Sequence, residues 1–249
     1  LYYPPKNMVD NILSYIHGLN GLIIWDNTPQ PHTIQLPEEI EDKIIRIRKG
    51  DNVGIGKALN EAAVFAIEND YTHLLTMDQD SAFLPGAFAQ YIEAIKRDND
   101  ISPYAYVPLI NTPPSSEQPL REVQGMIISG SILRIQTLKE VGLFNEKFVI
   151  DAIDIEYQFR IHQHKGKIMQ VPAASLKHEL GHPLCKRFLC FRPISLNYPP
   201  IRTYYITRNF LYLRRHFPGF SLKDLIWKLI WKRPFYILLI EKGKWQKLR

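Results

Sequence analysis

The sequence predicts an α/β protein: a doubly wound, mostly parallel central sheet flanked by helices, with a helical C-terminal extension. Three observations predict it. Short apolar runs alternate with helix-periodic segments at the spacing of strand–helix–strand units. Two of these runs end abruptly in carboxylates, at Asp26 and at Asp78-Gln79-Asp80, the edge at which open α/β sheets hold ligands. Beyond Pro200 the chain turns basic, aromatic and helix-periodic through to Arg249.

The elements follow from local pattern. Met8, Val9, Ile12, Leu13 and Ile16 recur at helical spacing within residues 6–18, and Gly18 supplies a stop. Residues 21–25 read as a short buried strand ending at Asp26-Asn27-Thr28-Pro29. A proline-rich loop (30–41) precedes a strand over 44–48, and a helix over 55–68 lines up Ala58, Leu59, Ala62, Ala63 and Ala66. The strand at 73–77 delivers the acid pair. Residues i and i+2 of an extended chain share a face, so Asp78 and Asp80 point into one space.

Pro85 opens the next helix, where its missing N–H costs nothing. Residues 105–110 are another strand and 111–119 a surface loop rich in proline and serine. Residues 121–128 alternate as a strand, and 136–141 form a helix stopped by Gly142. Residues 148–156 lead into a helix with Tyr157, Phe159 and Arg160, and 168–171 and 174–176 are short strands ending near His178.

Composition bounds the function. With 249 residues, 45% apolar and 22% charged, the chain can bury one large core or two small ones, which excludes wholesale disorder. A net charge of +6 favours an anionic partner: a phosphate-bearing substrate, nucleic acid or an anionic membrane. Cys185 and Cys190 match no zinc ribbon, redox C-x-x-C or secreted disulfide framework, so a reducing compartment fits. No signal peptide or bilayer-spanning apolar run is legible, and Leu1 to Pro5 reads as the tail of a strand whose beginning is absent.

Each candidate site residue has a functional and a structural reading. Two carboxylates, with water and phosphate oxygens, suit Mg²⁺ or Mn²⁺, although D-x-D is also a common turn. Asp26 accepts but cannot donate, which suits a base N–H; the alternative is an Asx turn before Pro29. Asn52-Val53-Gly54-Ile55-Gly56-Lys57 places small residues at a helix start, where free N–H groups favour a phosphate or base edge. Its spacing is neither a P-loop nor a dinucleotide fingerprint, and a structural turn fits equally.

Asp151, Asp154 and Glu156 straddle a helix entrance, as caps or as a carboxylate base with its orienting neighbours. His178-Glu179-Leu180-Gly181-His182 is not the metalloprotease H-E-x-x-H. His178 either completes a hard-metal site with the acid pair or is a polar-loop histidine. Arg208 can reach a diphosphate. Trp227, Lys228, Trp231, Lys232 and Arg233 fit a helix at a membrane interface, or a core-packing helix with a solvated basic face.

Taken in order, Asp26-Asn27, Asn52-x-Gly54, Asp78-Gln79-Asp80-Ser81, Gly130, Asp154-Ile155-Glu156, His178-Glu179-Leu180-Gly181 and Arg208-Asn209 resemble family 2 of the inverting nucleotide-sugar glycosyltransferases. The resemblance covers roughly residues 2–217. The Asp-Gln-Asp-Ser form, with His-x-Leu-Gly and Tyr-Tyr-x-x-Arg-Asn, is most similar to bacterial rhamnosyltransferases of surface-polysaccharide assembly. The resemblance implies a GT-A domain over 1–217 and a basic amphipathic extension over 218–249.

It also implies residue roles. Asp26 and Asn27 would meet the nucleotide base, and Asn52 with Gly54 the base and ribose pocket. Asp78 would touch the ribose or a metal-bound water. Asp80 would bind Mg²⁺ or Mn²⁺ directly, with His178 as a third metal contact. Asp154 would be the catalytic base, oriented by Asp151 or Glu156, and Arg208 would steady the leaving diphosphate. Trp25-Asp26-Asn27-Thr28 departs from the more usual Val-Asp-Asn-Gly/Ser.

The implied partners are a dTDP-rhamnose or UDP-sugar donor and a saccharide or lipid-linked acceptor, with no nucleic acid. The implied location is cytoplasmic, peripheral at the inner face of the bacterial membrane. Two rival classes compete. A sugar-phosphate nucleotidyltransferase normally has a Gly-rich, basic signature near its N-terminus, for which Lys6 is a poor substitute. A non-catalytic anion- or nucleic-acid-binding protein gives no reason for the acid pairs at strand ends.

Overall fold

A computed structural model describes all residues except 31, 99, 101, 116–117, 180–183, 186–193 and 249. Helix α1 (Met8–Leu13) and a 3₁₀ turn precede strands β1 (Leu22–Asp26) and β2 (Ile44–Arg48). These two strands pair in parallel, with Asp26 opposite Arg48. Helix α2 (Ile55–Glu68) spans the residues its pattern predicts, and β3 (His73–Thr76) and β4 (Ser81–Phe83) flank the acid pair. Helix α3 (Ala87–Arg97), β5 (Pro103–Ile110), β6 (Arg121–Glu122), β7 (Ser131–Arg134), α4 (Ile135–Val141), α5 (Ile153–Gln163) and β8 (Lys167–His178) complete the body.

The main sheet runs β3-β7-β5-β8-β4, with β6 against β8. It is mixed rather than mostly parallel, which corrects one detail of the expectation. Only β5 and β8 pair in parallel within it, whereas β7 lies antiparallel between β3 and β5, and β4 antiparallel on β8. Gly130, at φ +80°, turns the chain into β7 and donates its N–H to Thr76 O, at the end of β3, at 2.8 Å.

Two strand expectations change for physical reasons. The strand expected over 121–128 shrinks to β6, and the ladder resumes at β7. Ser131, Ile132 and Leu133 are all buried, so β7 shows no apolar–polar alternation to read. The two short strands at 168–171 and 174–176 are one, β8, whose pairing shifts register opposite Pro108 and Leu109. That irregularity absorbs Pro172, which lacks a ladder donor.

Both sheet faces are covered. Ala105, Val107 and Leu133 join a cluster with α2, α4 and α5, while Tyr106 and Ile132 join another with α1 and α3; the period-2 pleat splits them. A two-stranded pair, β9 (Leu184–Cys185) with β10 (Ile194–Ser195), leads to α6 (Pro200–His216). Then come α7 (Leu222–Ile226), a π-helical stretch Trp227–Lys232, α8 (Arg233–Leu239) and α9 (Lys244–Leu248). Phe220 and Leu225, beyond the expected boundary at 217, belong to the main cluster, so the extension starts as part of the body.

Gly130 carries a testable consequence. A Cβ there would lie 2.8 Å from Pro108 Cγ and 2.9 Å from Leu176 Cδ2, at a positive φ. Gly130→Ala is expected to destabilise the protein by about 1–3 kcal/mol, read as a lower denaturant midpoint with unchanged m-value.

Candidate active site

The acid pair sits in the turn between β3 and β4. The Asp78 N–H donates to Ser129 Oγ at 3.1 Å, and Ser129 Oγ donates to Ser81 Oγ at 2.7 Å. Strand pairing then supplies the third member, because Ser81 lies opposite His178 across β4 and β8. Ser81 Oγ and His178 Nδ1 share a hydrogen bond at 2.7 Å, and His178 Nδ1 lies 3.6 Å from Asp80 Oδ1. Asn111, at φ +51°, clamps the histidine backbone: it accepts the His178 N–H at 3.0 Å and donates to His178 O at 2.9 Å.

Asp78, Asp80 and His178 each bring one ligand atom within 4.8 Å of the others. Asp80 Oδ1 is buried and has no hydrogen-bond partner. A buried, unpaired carboxylate oxygen is costly without a counter-charge. Burial raises the Asp78 carboxyl above its ordinary range and the charge of Asp80 raises it further, against the opposing pull of His178 and Arg202. An O,O,N set with an orphaned oxygen fits a hard divalent cation such as Mg²⁺ or Mn²⁺. His182 lies outside the described residues.

A second acid group lies within electrostatic reach of the first. Asp151 and Ala152 both adopt left-handed backbone, at φ +60° and +62°, a conformation that costs non-glycine residues energy and persists only where neighbours hold it. Asn209 is that neighbour: fully buried, it donates to Ile150 O and Asp151 O, both at 2.8 Å. Arg202 adds a two-pronged ion pair to Asp151, 2.9 Å on each side. This strained turn launches α5 with Asp154 in its first turn. Burial pushes the Asp154 carboxyl up to about 6, and the charges of Asp78 and Asp151 add to the rise, against the Ile155 N–H that it accepts.

The other expected residues are placed differently. Glu156 is buried, bonded to Arg160 at 3.0 Å and facing Asn145, so its orienting role gains no support. Arg208 donates to Asn209 Oδ1 and to Lys147 O, and it is the charge of Arg202, a residue without a motif of its own, that reaches Asp78. Burial disfavours the charged form of Arg202, but the bonds to Asp151 outweigh it and leave the guanidinium more basic than usual. Its signal was faint in sequence, one basic residue among many on α6.

Asp26 is buried at the end of β1 and accepts the Thr28 N–H at 2.9 Å. Its other oxygen lies 3.4 Å from Arg48 and 3.6 Å from His32. Asn27 Oδ1 accepts from Trp25 Nε1 and from the Val53 N–H, and Asn52 Oδ1 accepts the Gly54 N–H at 3.0 Å. Val149 packs where a Gly54 side chain would stand and its carbonyl accepts the Ile55 N–H at 3.0 Å. That engages one of the free N–H groups at the start of α2, and Gly54 permits the close approach of Val149.

Solved structures share this architecture. The mannosyltransferase PcManGT of Pyrobaculum calidifontis, in complex with GDP-Man and Mn²⁺, superposes with a TM-score of 0.56 over 94% of this chain and 69% of that one, at 12% identity. GalNAc-T7 with UDP, GalNAc and Mn²⁺ gives 0.53 over 87% of this chain, at 14% identity; the match spans 50% of that chain. The protein has the GT-A fold of these two structures. Residues 6–151 match Glycosyl transferase family 2, and the dTDP-rhamnosyl transferase RfbF of Shigella flexneri is 26% identical over 220 residues, 77% of this chain and 73% of that protein. The chain belongs to glycosyl transferase family 2.

Proposed function

We propose that the protein transfers rhamnose, with inversion, from dTDP-rhamnose to a hydroxyl of a saccharide or lipid-linked acceptor in surface-polysaccharide biosynthesis; a UDP-sugar is the alternative donor. The supporting observation is electrostatic. Asp154, from the entrance of α5, lies close enough to Asp78, from the exit of β3, for that charge to raise its carboxyl. A proton acceptor within electrostatic reach of a cation-binding acid pair supports this reading. The likeness to RfbF favours rhamnose, and the Mn²⁺ in PcManGT and GalNAc-T7 favours a divalent cation.

The residues divide the work. Asp80, Asp78 and His178 would hold Mg²⁺ or Mn²⁺, which when bound offsets charge on the donor diphosphate. Asp26 offers its outer oxygen to a base N–H, and Asn27 and Asn52 shape the base and ribose pocket. Asp154 accepts the proton of the acceptor hydroxyl as that oxygen attacks the anomeric carbon from the face opposite the nucleotide. A glycosidic C–O bond forms, the anomeric C–O bond to phosphate breaks, and the nucleoside diphosphate leaves with its electron pair. Arg202 orients Asp151 beside Asp154 and supplies positive charge toward the departing diphosphate; Arg208 braces the same helix.

The experiment is a melting-temperature screen of nucleoside diphosphates and sugar nucleotides with and without Mn²⁺. A native-state ligand at about 100 times its Kd adds about 2.7 kcal/mol. dTDP with Mn²⁺ is expected to raise the melting temperature most. No shift with any nucleotide would end the donor reading, and pyrophosphate release from a nucleoside triphosphate plus sugar phosphate would make it a nucleotidyltransferase.

A further inference from the structure

The C-terminal helices are apolar on two sides. From α7 to α8, Leu225 and Ile237 are buried and Leu229 packs against the core. On the other side Trp227, Ile230, Trp231, Phe235 and Leu238 recur at spacings of three and four, and all stand in solvent. Trp227, Ile230 and Trp231 are 61%, 62% and 64% exposed. A helix packed on a core needs one apolar stripe. A second, contiguous and exposed, marks a surface for something else.

Charge selects the occupant. Residues 221–249 hold eight Lys and Arg against two Asp and Glu, so they carry the whole +6 of the chain, and residues 1–220 balance. Glu241 is buried and paired with Lys247 at 2.8 Å, so it does not offset the exposed Lys223, Lys232, Lys242 and Lys244. A second copy of this chain would set like charge against like charge on this face. Exposed indole rings on a segment with exposed lysines match the headgroup level of an anionic bilayer, rings at the boundary and cations over lipid phosphates. No helix among the described residues is long and apolar enough to cross a membrane.

We infer that the segment from α7 to α9 seats the protein on an anionic lipid bilayer, with Trp227, Ile230 and Trp231 in the headgroup–acyl boundary. The seat is tied to the active site. Arg233, which follows the π-helical stretch, donates to Thr203 Oγ1 at 2.6 Å, one residue from the Arg202 that holds Asp151. Docking therefore orients the Asp151–Asp154 turn relative to the lipid surface, where a lipid-borne hydroxyl is presented. That last step rests on the glycosyl-transfer reading; the docking itself does not.

The test is co-sedimentation of the full chain with phosphatidylglycerol–phosphatidylcholine vesicles against phosphatidylcholine alone, without donor or divalent cation. Partition onto the anionic vesicles is expected, with blue-shifted tryptophan emission and weakening at about 0.5 M salt. The Trp227→Ser/Trp231→Ser double variant should bind at least tenfold more weakly with an unchanged melting temperature. No partition at low salt, or equal partition of the double variant, overturns the inference. So does a wild-type dimer that the double variant breaks, which would assign the face to a second copy. Nucleotide binding is read separately, so either proposal can fail while the other stands.

Discussion

Asp154→Asn is expected to cost at least about 10²-fold in turnover while making the protein more stable at neutral pH. Both effects come from one carboxylate held where charge is unwelcome. Its pKa rises from 3.8 to about 6 on folding. Above about pH 6 the native state must carry a charge that the unfolded chain carries more cheaply. Below about pH 4 both states hold the proton and the difference vanishes. Stability from this group is therefore lost as pH rises through 4–6, the reverse of a salt-bridged carboxylate.

The two-step rise, at about 1.4 kcal/mol per pH unit and discounted for partial exposure, amounts to roughly 2 kcal/mol. The Asn variant should melt higher than wild type at pH 7.5, in the absence of divalent cation, and converge with it near pH 4. Wild-type kcat/KM should rise with pH through a limb near 6. A variant that keeps near-normal turnover removes Asp154 from the role of base. A variant that melts lower at pH 7.5 means the charge is better compensated than the geometry shows.

Asp80→Ala has the other large expected effect: loss of the Mn²⁺-dependent part of nucleotide binding, by at least about 10²-fold. Asp80 Oδ1 is buried without a partner beside Asp78, so removing it takes away both a ligand and a source of repulsion. The variant should keep or raise its cation-free melting temperature while Mn²⁺ no longer potentiates dTDP binding. An unchanged Mn²⁺ titration in a calorimeter refutes the assignment. A lower cation-free melting temperature would mean that Asp80 has a structural partner that outweighs the orphaned oxygen.

Much of the fold was legible because its signals are local. The start and end of α2 follow from helical alanine spacing, and the exit of β3 from an apolar run that stops in acids. What escaped did so because burial erases pattern: β7 is buried on both faces, and β8 hides its continuity behind Pro172. The two acid clusters were visible as residue types. The support beneath them was not. Asn111, Asn209 and Arg202 look like ordinary loop and helix residues until the chain folds, when Asn111 clamps His178 and the other two hold Asp151.

The sequence alone determined which groups could do chemistry, since carboxylates at strand and helix ends declare themselves by type and position. Tertiary structure alone decided which of them meet. Asp80 and His178 are joined by antiparallel pairing of β4 with β8, and Asp154 comes within electrostatic reach of Asp78 once α5 joins the core cluster. The charge of Arg202 rather than that of Arg208 reaches Asp78, because α6 turns Arg202 toward Asp151. Coulomb interactions depend on distance through space, and only the fold sets that distance.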